Sequence, residues 1–163
     1  SASAKVRFVA EDGGAGTATP SVLRGFSAPV RLVDDLSADE RLHLMAHDSD
    51  LFNRWDAAQV LDTGAILSLA SGAAVAIEPL AAGYRRILGD DGLLDDFKAG
   101  TLRLPGIAVL EAAQSPADPV ALFGARRGLL ALLGRALAPA YRPARHPRAL
   151  RPFASNSSSE ERL

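Results

Sequence analysis

The feature that most constrains this chain is a series of helix start and stop signals, set at short intervals from Ser37 to Leu137. Ser37 followed by Glu40 is a capping box, in which the hydroxyl satisfies an early orphan amide and the carboxylate reaches back to the cap. It puts the change from extended to helical backbone at about residue 36. A first helix over 38–46 follows, with Leu42 and Met45 on its apolar stripe. After the turn His47-Asp48-Ser49-Asp50, Asp50 can cap a second helix over 51–70. Its predicted apolar face carries Leu51, Trp55, Ala58, Ala65 and Leu69, and Gly72 is its stop. Pro79 suits the first position of a third helix through Leu80, Tyr84 and Ile87, ended by Gly89. Short helices are predicted over 93–99, stopped by Gly100, and over 107–113 after the Leu104-Pro105-Gly106 turn. Asp118-Pro119 opens a last helix over 120–137. Six helices with short connections read as a stack of α-hairpins.

Composition agrees. Of 163 residues, 48% are hydrophobic, mostly Ala and Leu, and only nine are aromatic, which favours close helix packing over a β-sandwich. A formal charge of -1 gives no global attraction to nucleic acid or an anionic membrane. There is no cysteine, hence no disulfide framework and no thiolate chemistry. The start, Ser-Ala-Ser-Ala-Lys-Val-Arg-Phe-Val, does not read as a signal peptide. The longest uncharged stretch, 63–77, is shorter than the roughly 18 residues a membrane-spanning helix needs. The expectation is a cytoplasmic protein without a membrane partner.

The flanks differ from the helical part. Val6 to Val9 alternates like a short strand, and 21–33 reads as two further β-like runs around Ser27-Ala28-Pro29. Two or three strands bury too little to stand alone, so 1–36 reads as the last strands of a larger β-unit. Beyond 140, Arg142, Arg145, Arg148 and Arg151 recur among Pro143, Pro147 and Pro152, ahead of a Ser-rich stretch. Residues 141–163 are therefore expected to form a basic, disordered tail. The arginine run could touch phosphates, but the near-neutral balance and the few aromatics favour a solvated tail over nucleic-acid binding.

Candidate chemistry is sparse. His43 and His47 stand at i and i+4, yet a zinc peptidase helix is His-Glu-x-x-His and here the sequence is His-Leu-Met-Ala-His. The residue that would activate water is a leucine, so no metal site is assigned. The carboxylate pairs Asp34-Asp35, Asp90-Asp91 and Asp95-Asp96 are placed at helix starts or first turns, where they complement the helix dipole. The Gly-rich run 11–16 lacks the Lys-Ser/Thr of a phosphate loop, and no serine sits in a nucleophile elbow. Trp55, the only tryptophan, is expected to anchor packing at a hairpin junction, with Arg54 and Asp56 tying neighbouring loops.

Two strings carry a family likeness. Leu23-Arg24-Gly25-Phe26-Ser27-Ala28-Pro29-Val30 and Arg54-Trp55-Asp56-Ala57-Ala58-Gln59 resemble the aminopeptidase N family, the zinc-dependent alanyl aminopeptidases. Leu104-Pro105-Gly106 and Asp118-Pro119-Val120-Ala121 look like later landmarks of the same helical domain. The resemblance covers about residues 18–125. It implies the end of an Ig-like β-sandwich followed by part of an ARM-like superhelix of α-hairpins, which in that family closes over the active site. The fold class expected is thus mainly α, preceded by a few strands of an incomplete sandwich. The resemblance marks Arg24, Phe26, Pro29, Arg54, Trp55 and Asp56 as structural positions.

None of the family's catalytic or zinc-binding motifs occurs here, so no catalytic residue, metal ligand or substrate contact carries over, and zinc belongs to the full-length family only. The expected role is a non-catalytic fragment that scaffolds and caps the peptide chamber. Its partner would be the parent's catalytic domain, or another copy of itself through exposed helical faces. The alternative is a free-standing helical module for protein–protein interaction.

Overall fold

Three of the described helices begin where a capping side chain satisfies an early orphan amide. In the computed structural model, which describes residues 19–26, 32 and 34–140, the helices are α1 (Ala38–His47), α2 (Leu51–Ala70), α3 (Ile77–Leu88), α4 (Asp95–Thr101), α5 (Ile107–Ala113) and α6 (Pro119–Leu137). The capping box forms: the Glu40 amide donates to Ser37 Oγ at 3.2 Å and the Ser37 amide to Glu40 Oε2 at 2.8 Å. Asp50 Oδ1 accepts from the Asn53 amide at 3.0 Å to start α2. Gly72, at φ 82, lets α2 end with the Ala73 amide on the Ser68 carbonyl and the Gly72 amide on that of Leu69. Asp118 Oδ1 takes the Val120 and Ala121 amides at the start of α6.

Three details differ from the sequence expectation. Helix α3 starts at Ile77, so Pro79 is its third residue; the first-turn amides have no intrahelical partner, and a proline there removes nothing. Helix α4 spans 95–101, leaving Gly100 inside it and Asp90-Asp91 in the preceding loop instead of a first turn. Upstream, no strand is present among the described residues. Arg24–Phe26, read as part of an extended run, is a 3-10 turn, because Leu23 and Gly25 sit at φ 56 and φ 64. The expected strand over 6–9, Pro29 and the tail 141–163 lie outside the described residues.

Helices α1 and α6 each pack against both α2 and α3, while α4 and α5 lie against α2, and α5 also meets α6. The core joins Met45, Ile66, Tyr84, Ile87, Leu110, Leu122 and Leu129, all fully buried. Burying one such aliphatic side chain is worth about 1.5–3 kcal/mol. At Gly83 the α1–α3 approach is close enough that a Cβ would stand 3.0 Å from Met45 Sδ. That is why α3 carries glycine one residue before its central tyrosine. No helix among the described residues is long and apolar enough to cross a membrane.

Long donor side chains satisfy carbonyls of helix ends and of the α4–α5 loop in trans. Arg54, 5% exposed on α2, donates through Nε to the Met45 carbonyl at 3.1 Å and through a guanidinium nitrogen to that of Ala46 at 3.3 Å. Its other nitrogen meets Asp90 Oδ2 at 3.4 Å, tying in the α3–α4 loop. Lys98 reaches the Leu88 carbonyl at 3.2 Å, Arg85 that of Ala136 at 3.3 Å, and Arg126 those of Pro105 and Leu104 at 2.8 and 3.2 Å. Gln59 holds the Arg103 carbonyl at 2.9 Å.

The buried face of α2 is consequently not the stripe drawn from hydropathy. Ala58 and Ala65 are buried, but Leu51 is 44% and Trp55 37% exposed, and Arg54, Ala57, Asp62 and Ile66 point inward. Arg54→Ala strands two carbonyls and removes the loop tie, so urea unfolding should show a loss of about 2–3 kcal/mol. Trp55→Ala, at a surface edge, should cost about 1 kcal/mol by the same measurement. The reverse order would contradict this account.

Candidate functional site

The most densely bonded polar region is the α1–α2 turn, where the incoming segment 19–26 is clamped. Arg24 donates to Asp48 Oδ1 at 3.0 Å, to Ser49 Oγ at 2.6 Å and to Ser21 Oγ at 2.9 Å. The Gly25 amide donates to Asp50 Oδ2 at 2.8 Å, so the carboxylate that caps α2 also holds the segment. Asn53 Nδ2 closes the other side on Ser21 Oγ and the Val22 carbonyl, at 2.8 and 3.0 Å. The left-handed φ of 56° at Leu23 is sterically costly for a residue with a Cβ, and such a conformation persists only where the surroundings dictate it. Here bonds on both sides of Leu23 do so.

The clamp is electrostatic as well as geometric. Burial pushes the Asp48 carboxyl up, but the Asp50 amide, the Ser21 hydroxyl and the Arg24 guanidinium outweigh it and hold it below its usual range. The amides of Asn53 and Gly25 hold Asp50 low too. Both groups are therefore charged acceptors at neutral pH, which strengthens the hydrogen bonds they accept.

Two apolar hollows flank α2. One, of about 470 Å³, opens between α1, α2 and the start of α3 over Leu42, Val60, Leu61, Val75 and Leu80, with Asp39 and Arg41 at its rim. The other, of about 310 Å³, lies between the first turns of α2 and α4, lined by Leu51, Phe52, Trp55, Phe97 and Thr101 with Asp96 beside them. Phe52 and Trp55 are 5.7 Å apart there, ring centre to ring centre.

Of the six positions marked in the sequence, Arg24 and Arg54 both act at the α1–α2 turn, Arg24 on Asp48 and Ser49 and Arg54 on the last carbonyls of α1. Trp55 belongs to the second hollow. Asp56 is half-buried, and burial raises its pKa against the opposing pull of Arg41. Phe26 falls in the 3-10 turn, and Pro29 lies outside the described residues. Sequence reasoning missed Asp48 and Ser49 as partners of Arg24, and Asn53 as the donor to Ser21 and Val22. Only Asp50 carried a legible signal, as a cap.

Among the described residues, His43 and His47 are not joined by a third donor that would hold zinc. His43 and His47 stack with ring centres 4.9 Å apart on the exposed edge of α1. Burial, Arg86 and His43 lower the pKa of His47. No group of three or more His, Cys, Asp or Glu among the described residues is placed to hold a metal ion. The carboxylates serve the backbone and its cations: Asp34 pairs with Arg41 and accepts from the Leu36 amide, and Asp90 takes the Gly92 amide and Arg54.

Comparison with known proteins agrees with this arrangement. Residues 38–160 match the DUF3458_C family, described as a domain of unknown function with ARM repeats. Aminopeptidase N of Caulobacter vibrioides is 45% identical over 108 residues, 65% of this chain and 12% of that protein. Aminopeptidase N of Escherichia coli K12 is 32% identical over 124 residues, 73% of this chain and 14% of that protein. The crystal structure of Legionella pneumophila aminopeptidase A in complex with aspartic acid superposes on 72% of this chain and 14% of its own, with a TM-score of 0.64 and 29% identity. The chain thus spans about an eighth of the relatives it matches. It belongs to the DUF3458_C family of ARM-repeat domains, the helical domain of the aminopeptidase N type.

Proposed function

We propose that this chain is the non-catalytic helical part of an aminopeptidase N-like zinc metallopeptidase, and that it scaffolds and caps the chamber in which another domain releases N-terminal residues from peptides. The clamp on residues 19–26 carries the reading. Side chains of the α1–α2 turn hold the incoming backbone from both sides, which fixes residues 21–25 against the start of the helical part. On this reading residues 1–36 close an Ig-like β-domain, the partner is the parent's catalytic domain, and zinc is bound there. The parent works in the cytoplasm. One of the similar structures is an aminopeptidase in complex with an amino acid, the kind of product this reading assigns to the parent.

A second reading, a free-standing interaction module, draws on the outer face of α6. Val120, Phe123 and Leu130 stand 82%, 53% and 54% exposed there. Scattered apolar residues are ordinary, but a row of them along one helix invites a partner. Light scattering separates the two readings. Concentration-dependent dimerisation abolished by Leu130→Glu marks a face that requires cover and supports the scaffold. A clean monomer at all concentrations supports the module.

With zinc and an alanyl chromogenic substrate the chain alone should give no turnover above buffer; zinc-dependent hydrolysis would overturn the scaffold reading. The clamp has its own pH signature. The pKa values of Asp48 and Asp50 are lower folded than unfolded, so their stabilisation is present above about pH 4 and is lost as pH falls through the folded values. Proteolysis within 19–26 should therefore accelerate in acid while α2 and α6 stay helical by circular dichroism. Arg24→Ala should bring the same cleavage to neutral pH.

A further inference from the structure

A buried polar triad beneath the second hollow is absorbed neither by the scaffold reading nor by helix capping. Asp62 on α2, Tyr84 on α3 and Thr101 at the end of α4 are each fully buried. Tyr84 Oη stands 2.7 Å from Asp62 Oδ2 and 3.4 Å from the Thr101 carbonyl oxygen, so one hydroxyl faces two acceptors. A phenol has a single proton to give. Asp62 Oδ1 is buried with no hydrogen-bond partner among the described residues. An ionised carboxylate would leave that oxygen bare in an apolar core, which is costly.

The proton count decides what the triad can do. With Asp62 protonated, its hydroxyl donates to Tyr84 Oη, and Tyr84 is free to donate onward to Thr101. The chain of bonds then runs from α2 through α3 to α4. With Asp62 ionised, Tyr84 must donate to the carboxylate, and the Thr101 carbonyl loses its donor. Two hydrogens change place between the arrangements: one proton passes between Asp62 and solvent, and the Tyr84 hydroxyl hydrogen turns between the Thr101 carbonyl and the carboxylate.

We propose that Asp62, Tyr84 and Thr101 form a proton-operated latch, which holds α4 against α2 and α3 while Asp62 is protonated and loosens it when the carboxyl ionises. Burial pushes Asp62 up to about 7, with the Tyr84 hydrogen bond pulling the other way. Burial and Asp62 raise Tyr84, which keeps its proton throughout.

The charges around the triad are occupied elsewhere. From α2, Arg54 serves Met45, Ala46 and Asp90. Arg85 of α3 serves Ala136 and Glu78; Lys98 of α4 serves Leu88; Arg126 of α6 serves Leu104 and Pro105. His43 and His47 of α1, Glu111 of α5 and the exposed Asp95 and Asp96 of α4 do not enter the balance at Asp62. The latch opens onto a reporter, because Thr101 and Trp55, the only tryptophan, line the same hollow.

The sign follows from linkage. The folded pKa of Asp62 lies above its ordinary value, so the stabilisation is complete below about pH 4 and is lost as pH rises through the folded value. In the intact chain, hydrogen exchange of the α4 amides, corrected for intrinsic rates, should show an opening constant that climbs about tenfold per pH unit toward neutrality and then levels. Trp55 emission should shift over the same range. Asp62→Asn, whose amide can donate to Tyr84 Oη at every pH, should remove the slope and keep the low-pH protection. His47 is unchanged in that variant and serves as the internal control. An Asp62→Asn chain that keeps the wild-type slope overturns the latch.

Should that variant not fold, two measurements decide. The Asp62 carboxyl carbon in wild type should titrate near neutrality by NMR, and a midpoint below about pH 5 overturns the proposal. Tyr84→Phe should leave α4 in fast exchange at all pH values, and protection equal to wild type at low pH overturns it as well.

Discussion

The Arg54 guanidinium, closing the last carbonyls of α1 while reaching the α3–α4 loop, is the contact on which the rest of the arrangement depends. A helix leaves its final carbonyls without intrahelical partners, and in a packed core they require donors from elsewhere. Arg54 supplies two such bonds and an ion pair from a nearly buried position. A side chain that must meet the end of α1 and Asp90 together permits one rotation of α2 about its axis. That rotation brings Ala57, Ala58, Asp62 and Ile66 inward and leaves Leu51 and Trp55 at the surface.

The same device recurs with Lys98, Arg85 and Arg126, each donating to carbonyls of a different helix or loop. Apolar burial provides most of the cohesion but little direction. Carbonyl oxygens at helix ends are directional acceptors, so donors aimed at them select one register among several that an Ala- and Leu-rich core would tolerate. Gly83 contributes the complementary element, a place where α1 and α3 approach without a Cβ between them.

The helix ends were legible in the sequence because capping is local chemistry. Ser37 with Glu40, Asp50, Gly72 and Asp118 with Pro119 each act within a few residues of themselves, and all four do in the structure what their spacing implies. Pro79 and Gly100 misplaced boundaries by two residues, since the first turn tolerates proline and a late glycine need not stop a helix. The 3-10 turn at Arg24 was not legible. Its conformation depends on Asp48, Asp50 and Asn53, more than twenty residues away.

What the sequence by itself determined is therefore the set of helices, their order and the family to which they belong. Which face of α2 turns inward, which carboxylates clamp the entering segment and which one is buried beside a tyrosine were decided only by the tertiary structure. The physical reason is distance along the chain. Caps and periodicity act over one or two turns, whereas Arg54, Arg24 and Asp62 owe their roles to partners 8 to 36 residues away that only packing brings into reach.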